Sequence, residues 1–176
     1  VPEPSQFEPL SGFVLTVSDR CARGEREDLS GPAVVALLRE HGFAVHAPQI
    51  VADERGAIED ALRNAAALYA LVVTTGGTGL TARDVTPEAT LAVCTRLLDG
   101  LAEQMRAAGL KETPFSVLSR GVCGTVGGSL IVNLPGSPRG AVTSLRTVLP
   151  VLPHALRLLV DPSAPHPATS DESPAR

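Results

Sequence analysis

Short unbroken apolar runs alternate along this chain with stretches whose apolar positions recur every three or four residues, and that alternation predicts strand–helix units. Strands are expected at 13–17, 43–50 and 71–74, and helices at 32–41, 54–67 and 87–98. In the first helix Val34, Leu37, Leu38 and His41 share a face and Gly42 supplies the stop. In the second, Ile58, Ala61, Leu62 and Ala65 recur at helical spacing behind Asp53, which is placed to cap it. A βαβαβα order implies a parallel sheet covered by helices. The later chain is less regular. Residues 100–110 read as a helix that Pro114 ends, 115–119 and 129–134 as strands, and the intervening GVCGTVGG as a hairpin or a loop. Residues 137–148 and 151–160 are helical patterns interrupted by Pro150 and Pro153, as one kinked helix or two short ones. The expected fold class is α/β, a three-layer α/β/α arrangement with a mostly parallel twisted central sheet. One domain over 12–160 is expected, flanked by disordered tails at 1–11 and 161–176, where Pro and small polar residues concentrate.

The segment 71–90, LVVTTGGTGLTARDVTPEAT, carries the most chemistry. An apolar strand empties into Thr75, Gly76, Gly77, Thr78 and Gly79, crosses Asp84, and enters a helix through Thr86 as N-cap and Pro87 at the first helical position. Glycines there allow backbone N–H groups to approach a phosphate, and the helix start adds a positive dipole end. Glycines also serve tight strand-to-helix connections with no ligand; the nearby ionisable Asp84 favours phosphate binding. Beside a phosphate that acid would be repelled unless a divalent cation lay between them, so Asp84 is a candidate Mg²⁺ contact. The turn is neither a Walker A loop nor a G-x-G-x-x-G fingerprint. Ligands in open α/β sheets sit beyond the carboxyl ends of parallel strands. The expected strand ends deliver Ser18 and Asp19, Asp53, the glycine turn, Ser119, and the turn at Pro135, Gly136, Ser137 and Pro138 to one rim.

Composition narrows the classes. A net charge of −4 and the absence of a Lys/Arg-rich run argue against nucleic acid as partner. No stretch approaches the roughly 20 apolar residues that span a bilayer, and no signal-peptide pattern is present, so a cytoplasmic protein with no membrane partner is expected. Hydrophobic residues make up 44% of the chain with no Trp, one Tyr and four Phe, which means an aliphatic core. Cys21, Cys94 and Cys123 form no C-x-x-C pair, so neither a disulfide framework nor a zinc site is indicated. Four scattered histidines give no basis for a histidine-centred mechanism.

TTGGTG followed by RDVTPEAT resembles the signature of the molybdopterin adenylyltransferases, the Mog/MoaB family of molybdenum cofactor biosynthesis, to which the gephyrin G domain is related. TVSD at 16–19, SGP at 30–32, LSR at 118–120 and NLPGSP at 133–138 resemble the remaining family blocks in the same order. The resemblance implies Mg²⁺-dependent adenylylation of molybdopterin by ATP, giving adenylyl-molybdopterin and pyrophosphate. A non-catalytic molybdopterin-binding or scaffold homologue is the alternative. It also implies a homotrimer, with hexamers in some members, and leaves open a molybdenum-insertion protein as a further partner. By the same resemblance Asp53 matches an essential acid, so Asp53 and Asp84 are the catalytic and metal candidates. Ser18, Asp19, Asp28, residues 75–79, Ser119, Ser129, Asn133 and residues 135–138 are the substrate and nucleotide candidates. Arg120 and Arg139 are either balances for phosphate charge or solvated loop arginines. Ser137 stands where the plant relative of gephyrin has Asn, and retains a hydrogen-bonding side chain.

Overall fold

The structure is a computed structural model that describes residues 10–161 and residue 163. The tails expected at 1–11 and 161–176 therefore lie outside the described residues, apart from Leu10, Ser11, Asp161 and Ser163. In chain order the elements are β1 (Ser11–Val17), α1 (Asp19–Ala22), α2 (Ser30–Glu40), β2 (Ala44–Val45), β3 (Gln49–Val51), α3 (Arg55–Ala66), β4 (Leu71–Thr75) and α4 (Thr86–Val93). They continue with β5 (Arg96–Leu97), α5 (Asp99–Gly109), a 3₁₀ helix (Pro114–Leu118), β6 (Cys123–Val126), β7 (Ser129–Leu134), α6 (Pro138–Val148) and α7 (Leu152–Val160).

The sheet runs β2-β1-β4-β7-β6-β5, with β3 also paired to β1. β1, β4 and β7 lie parallel in the centre, in a register that aligns Val14, Val73 and Val132. β6 and β5 return antiparallel at one edge. Successive side chains of a strand leave opposite faces, so the central strands feed two cores. On one face Val14, Leu71, Val73, Leu130, Val132 and Leu134 pack with α2, α5, α6 and α7 through residues such as Leu38, Met105, Leu145 and Leu156. On the other Leu15, Val17, Val72 and Ile131 pack with α3 and α4 through Ile58, Leu62, Ala89 and Val93. Burial on both faces is why these strands read as continuous apolar runs.

Several elements depart from expectation. The strand expected at 43–50 is two short ones, because Pro48 cannot donate to a ladder. The strand expected at 115–119 is a 3₁₀ helix: Pro114 starts it, Thr113 Oγ1 accepts from the Phe115 N–H at 3.3 Å, and Phe115 and Val117 point outward. The helix expected to reach residue 98 stops at Val93, where Cys94 turns extended and leads into β5. GVCGTVGG forms β6 and a tight hairpin into β7, with Val126 opposite Ser129. Residues 137–160 form two helices.

Candidate functional site

Three parallel strands end together. Gly76 leaves β4 at φ +91°, and a β-carbon placed there would lie 2.3 Å from the Val17 carbonyl oxygen. Its N–H donates to Leu134 O at 3.2 Å, and a β-carbon on Gly136 would lie 3.2 Å from Gly76 Cα. The ends of β1, β4 and β7 thus touch backbone to backbone, a closeness only glycine allows. Thr86 locks the turn from behind: its hydroxyl donates to Gly76 O at 3.0 Å and its N–H to Gly77 O at 3.1 Å. Among the described residues no acceptor meets the N–H groups of Gly77, Thr78, Gly79, Gly136 or Ser137. Unpaired N–H groups gathered at strand ends, the last of them opening α6, form an anion-binding concavity.

Carboxylates surround it, each braced differently. Asp19 and Asp53 exchange bonds: the Asp19 N–H donates to Asp53 Oδ2 at 2.7 Å and the Asp53 N–H to Asp19 Oδ1 at 3.0 Å. Arg83 donates to Asp19 Oδ2 from Nε and Nη2 at 3.0 and 2.6 Å, and this contact foremost holds the Asp19 carboxyl below its usual range. Half-buried Asp53 goes the other way. Burial pushes its carboxyl up, and the charges of Asp19 and Asp84 add to that push against the opposing Asp19 N–H and Arg83. Asp84 Oδ2 accepts from Thr81 N–H and Oγ1 at 2.8 and 2.6 Å. Asp28 gives both oxygens to the fold: Oδ2 to Thr16 Oγ1 at 2.6 Å, Oδ1 to Gly31 N–H at 2.9 Å and Ser30 Oγ at 3.2 Å.

Two cavities meet here. One of about 360 Å³ is polar and lined by Thr16, Asp28, Ser30, Asp53, Thr75 and Arg26 among others. The other, of about 510 Å³, is more apolar and is walled by Leu80, Phe115, Leu118, Ser119 and Pro135. Gly77, Asp84, Gly136 and Ser137 line both, so Asp84 stands on the seam. Among the described residues no group of three His, Cys, Asp or Glu side chains is placed to hold a metal ion by itself. Magnesium needs only one or two carboxylates when phosphate oxygens and water complete its octahedron. Asp53 and Asp84 fit that role: they share the polar cavity, and Oδ1 of each takes no hydrogen bond among the described residues.

Most sequence candidates therefore converge. Ser18, Asp28, Asp53, Thr75, Gly76, Gly77, Asp84, Gly136, Ser137 and Pro138 line the polar cavity; Thr78, Gly79, Ser119 and Pro135 line the apolar one. Asp19 acts just behind, on Asp53. Two candidates do not face the site. Ser129 opens β7 at its amino end, fully buried, and its hydroxyl has no partner among the described residues. Asn133 is buried too: Nδ2 donates to Thr74 and Thr90 at 3.0 and 2.9 Å and Oδ1 accepts from Val122 N–H, which ties sheet, α4 and the β6 approach together. The proposed caps also differ. Asp53 makes no cap bond to α3, and Thr86 is helical and binds Gly76; at the start of α2, Asp28 accepts the Gly31 N–H. Arg120 turns inward, and Arg139 pairs with Glu112 at 2.9 Å. Thr16, Arg26 and Arg83 were missed. Thr16 was legible in the TVSD block; the arginines carried no local signal.

Residues 13–154 match the family described as the probable molybdopterin binding domain. The molybdopterin adenylyltransferase of Helicobacter pylori J99 is 45% identical over 152 residues, which is 84% of this chain and 86% of the relative. That of Escherichia coli K12 is 38% identical over 142 residues, 77% of this chain and 71% of the relative. Among solved structures, the molybdopterin biosynthesis enzyme MoaB from Thermus thermophilus superposes with a TM-score of 0.80 at 50% identity, covering 85% of this chain and 96% of that one.

Proposed function

The chain belongs to the family of the probable molybdopterin binding domain, and from that membership we propose that it transfers AMP from ATP to molybdopterin, releasing pyrophosphate. The observation that carries this reading is the seam: two cavities of different polarity share Asp84 and the unpaired N–H groups of Gly77, Gly136 and Ser137. A transfer between two bound substrates needs such a meeting point.

The reaction is a problem of charge rather than of nucleophile activation. The attacking group is the terminal phosphate of molybdopterin, already anionic at neutral pH, so no serine, cysteine or histidine nucleophile and no strong base are required. Cys94 and Cys123, pushed by burial to about 11 and about 12, have no part in it. Two polyanions must instead meet at the α-phosphate of ATP. The N–H groups of residues 77–79 and 136–137 would hold phosphate oxygens and stabilise the charge that develops there. Asp53 and Asp84 would hold Mg²⁺, which when bound neutralises phosphate charge. Asp19 and Thr81 keep those two carboxylates oriented. The Arg83–Asp19 pair fastens the loop that carries Asp84 to the end of β1.

Asp84→Ala is expected to fold, because Asp84 packs in no core, and to lose at least about 100-fold in AMP transfer, the scale seen when one electrostatic group is removed from a preorganised site. The assay follows labelled ATP to adenylyl-molybdopterin. Unchanged turnover in the variant would remove Asp84 from the mechanism. Molybdopterin binding without transfer by the parent chain would leave a pterin-binding homologue instead. We further propose a homotrimer in the cytoplasm, which a light-scattering mass of three chains would support and a monomer mass would overturn.

A further inference from the structure

We propose that Arg120 is a positioning residue that fixes the loop bearing Asp84, and that it does not contact the phosphates. Apart from the Arg83–Asp19 pair, which ties its exposed side to the end of β1, the loop from Gly79 to Asp84 has little of its own to hold it. Leu80, Thr81, Ala82 and Arg83 are exposed, and its internal bonds form a single turn between Thr81 and Asp84. Arg120 reaches it from 36 to 41 residues away. Its Nε donates to Gly79 O at 2.7 Å, Nη2 donates to Asp84 O, and Nη1 pairs with Glu88 in the first turn of α4. Its own N–H donates to Thr78 O at 2.9 Å. One residue thus grips the entry of the loop, its exit and the helix that follows.

The guanidinium is committed by these contacts. All three of its nitrogens have partners within the fold, and Glu88 meets its charge, with the Glu88 carboxyl held below its usual range chiefly by Arg120. A second arginine stands behind the first: Arg106 of α5 donates from Nη1 to Gly121 O at 3.1 Å and reaches Ser119 O at 3.5 Å, fixing the segment on either side of Arg120. The sequence from α5 through Arg106, residues 119–121 and Arg120 to Asp84 ties the seam carboxylate to a packed helix. A lysine cannot replace the clamp, because a single ammonium lacks the planar fork that spans two carbonyls and a carboxylate.

The test compares Arg120→Lys, Arg120→Ala and Glu88→Gln with the parent by amide hydrogen exchange, thermal melts and AMP transfer. In Arg120→Lys the amides of Thr81, Asp84 and Thr86 are expected to exchange at least tenfold faster while those of β4 and β7 keep their rates and the Tm shifts by only a few degrees. Glu88→Gln, which leaves the two carbonyl contacts in place, is expected to give a smaller change of the same sign and covers the case in which Arg120→Ala fails to fold. The kinetic arm rests on the proposed transferase reading. There kcat falls on the order of 10²-fold, the scale of a misplaced catalytic group, with KM for ATP nearly unchanged. Unaltered loop exchange in Arg120→Lys overturns the proposal whether or not the protein turns over. So does a raised KM for ATP at constant kcat, the signature of direct phosphate contact.

Discussion

Replacing Gly76 by alanine tests whether the rim is set by backbone contact. At φ +91° an alanine carries strain of about 1–3 kcal/mol. Its β-carbon would also sit 2.3 Å from the Val17 carbonyl oxygen, and that oxygen belongs to the end of β1, which is held by pairing to both β3 and β4. A backbone neighbour cannot rotate away as a side-chain tip does, so forced displacement adds about 1–3 kcal/mol. The sum, about 2–6 kcal/mol, is a large part of the roughly 5–15 kcal/mol by which a domain is stable. At about 2–4 °C per kcal/mol for a chain of this size, the Tm should fall by roughly 5–20 °C. Gly56→Ala is the matched control. Gly56 lies in α3 with open space where its β-carbon would go, and alanine there should stabilise by about 0.5–1 kcal/mol. Calorimetric melts of both variants decide the matter. A Gly76→Ala Tm close to the parent's, or equal losses in the two variants, would refute the strand-end contact as the constraint.

Asp53→Asn should abolish AMP transfer yet raise the Tm at neutral pH. Burial disfavours ionised Asp53, so its contribution to stability is complete below the ordinary carboxylate range and is lost as pH rises through its raised value; asparagine removes that loss. The Tm advantage of the variant should therefore widen from acid toward neutral pH, and a constant gap would contradict the raised carboxyl. Ser129→Ala removes a fully buried hydroxyl that has no partner among the described residues, so it should stabilise by about 1 kcal/mol and leave kinetics unchanged. A clear Tm loss in that variant would mean that Ser129 is satisfied in solution.

Legibility tracked burial. β1, β4 and β7 were plain because both their faces are covered, and the rim that gathers the candidate residues followed from their direction. Residues 115–119 misled because Phe115 and Val117 alternate like strand residues while lying outside, a placement decided by Thr113 and Pro114 rather than by periodicity. Ser129 was singled out for its hydroxyl against strand direction: five residues before Leu134, it lies about 17 Å from the rim. Asn133 had a local clue, since Leu130, Val132 and Leu134 take one face of β7 and leave Asn133 on the other with Ile131. The partners of Arg83 and Arg120 lie 32 to 64 residues away, and no local pattern encodes them.

Four carboxylates crowd one polar rim, and how each is compensated ranks them as metal candidates. Asp19 has the Arg83 guanidinium. Asp28 has two hydroxyls and a helix N–H, with Ser30 in turn bonded to Thr75 at 2.9 Å, so its charge is spread into the fold. Asp84 has the Thr81 hydroxyl and N–H on one oxygen. Asp53 has a single N–H and the charge of Arg83 in its favour, against three unfavourable influences, its own burial and the charges of Asp19 and Asp84. Of the four it is the carboxylate whose ionisation the fold opposes most plainly. A cation held between Asp53 and Asp84, which line the same cavity, would stabilise the ionised form of Asp53 that burial opposes. The cost of ionising Asp53 is what a divalent cation beside it would relieve. Magnesium should accordingly raise the Tm of the parent and leave that of Asp53→Asn unmoved.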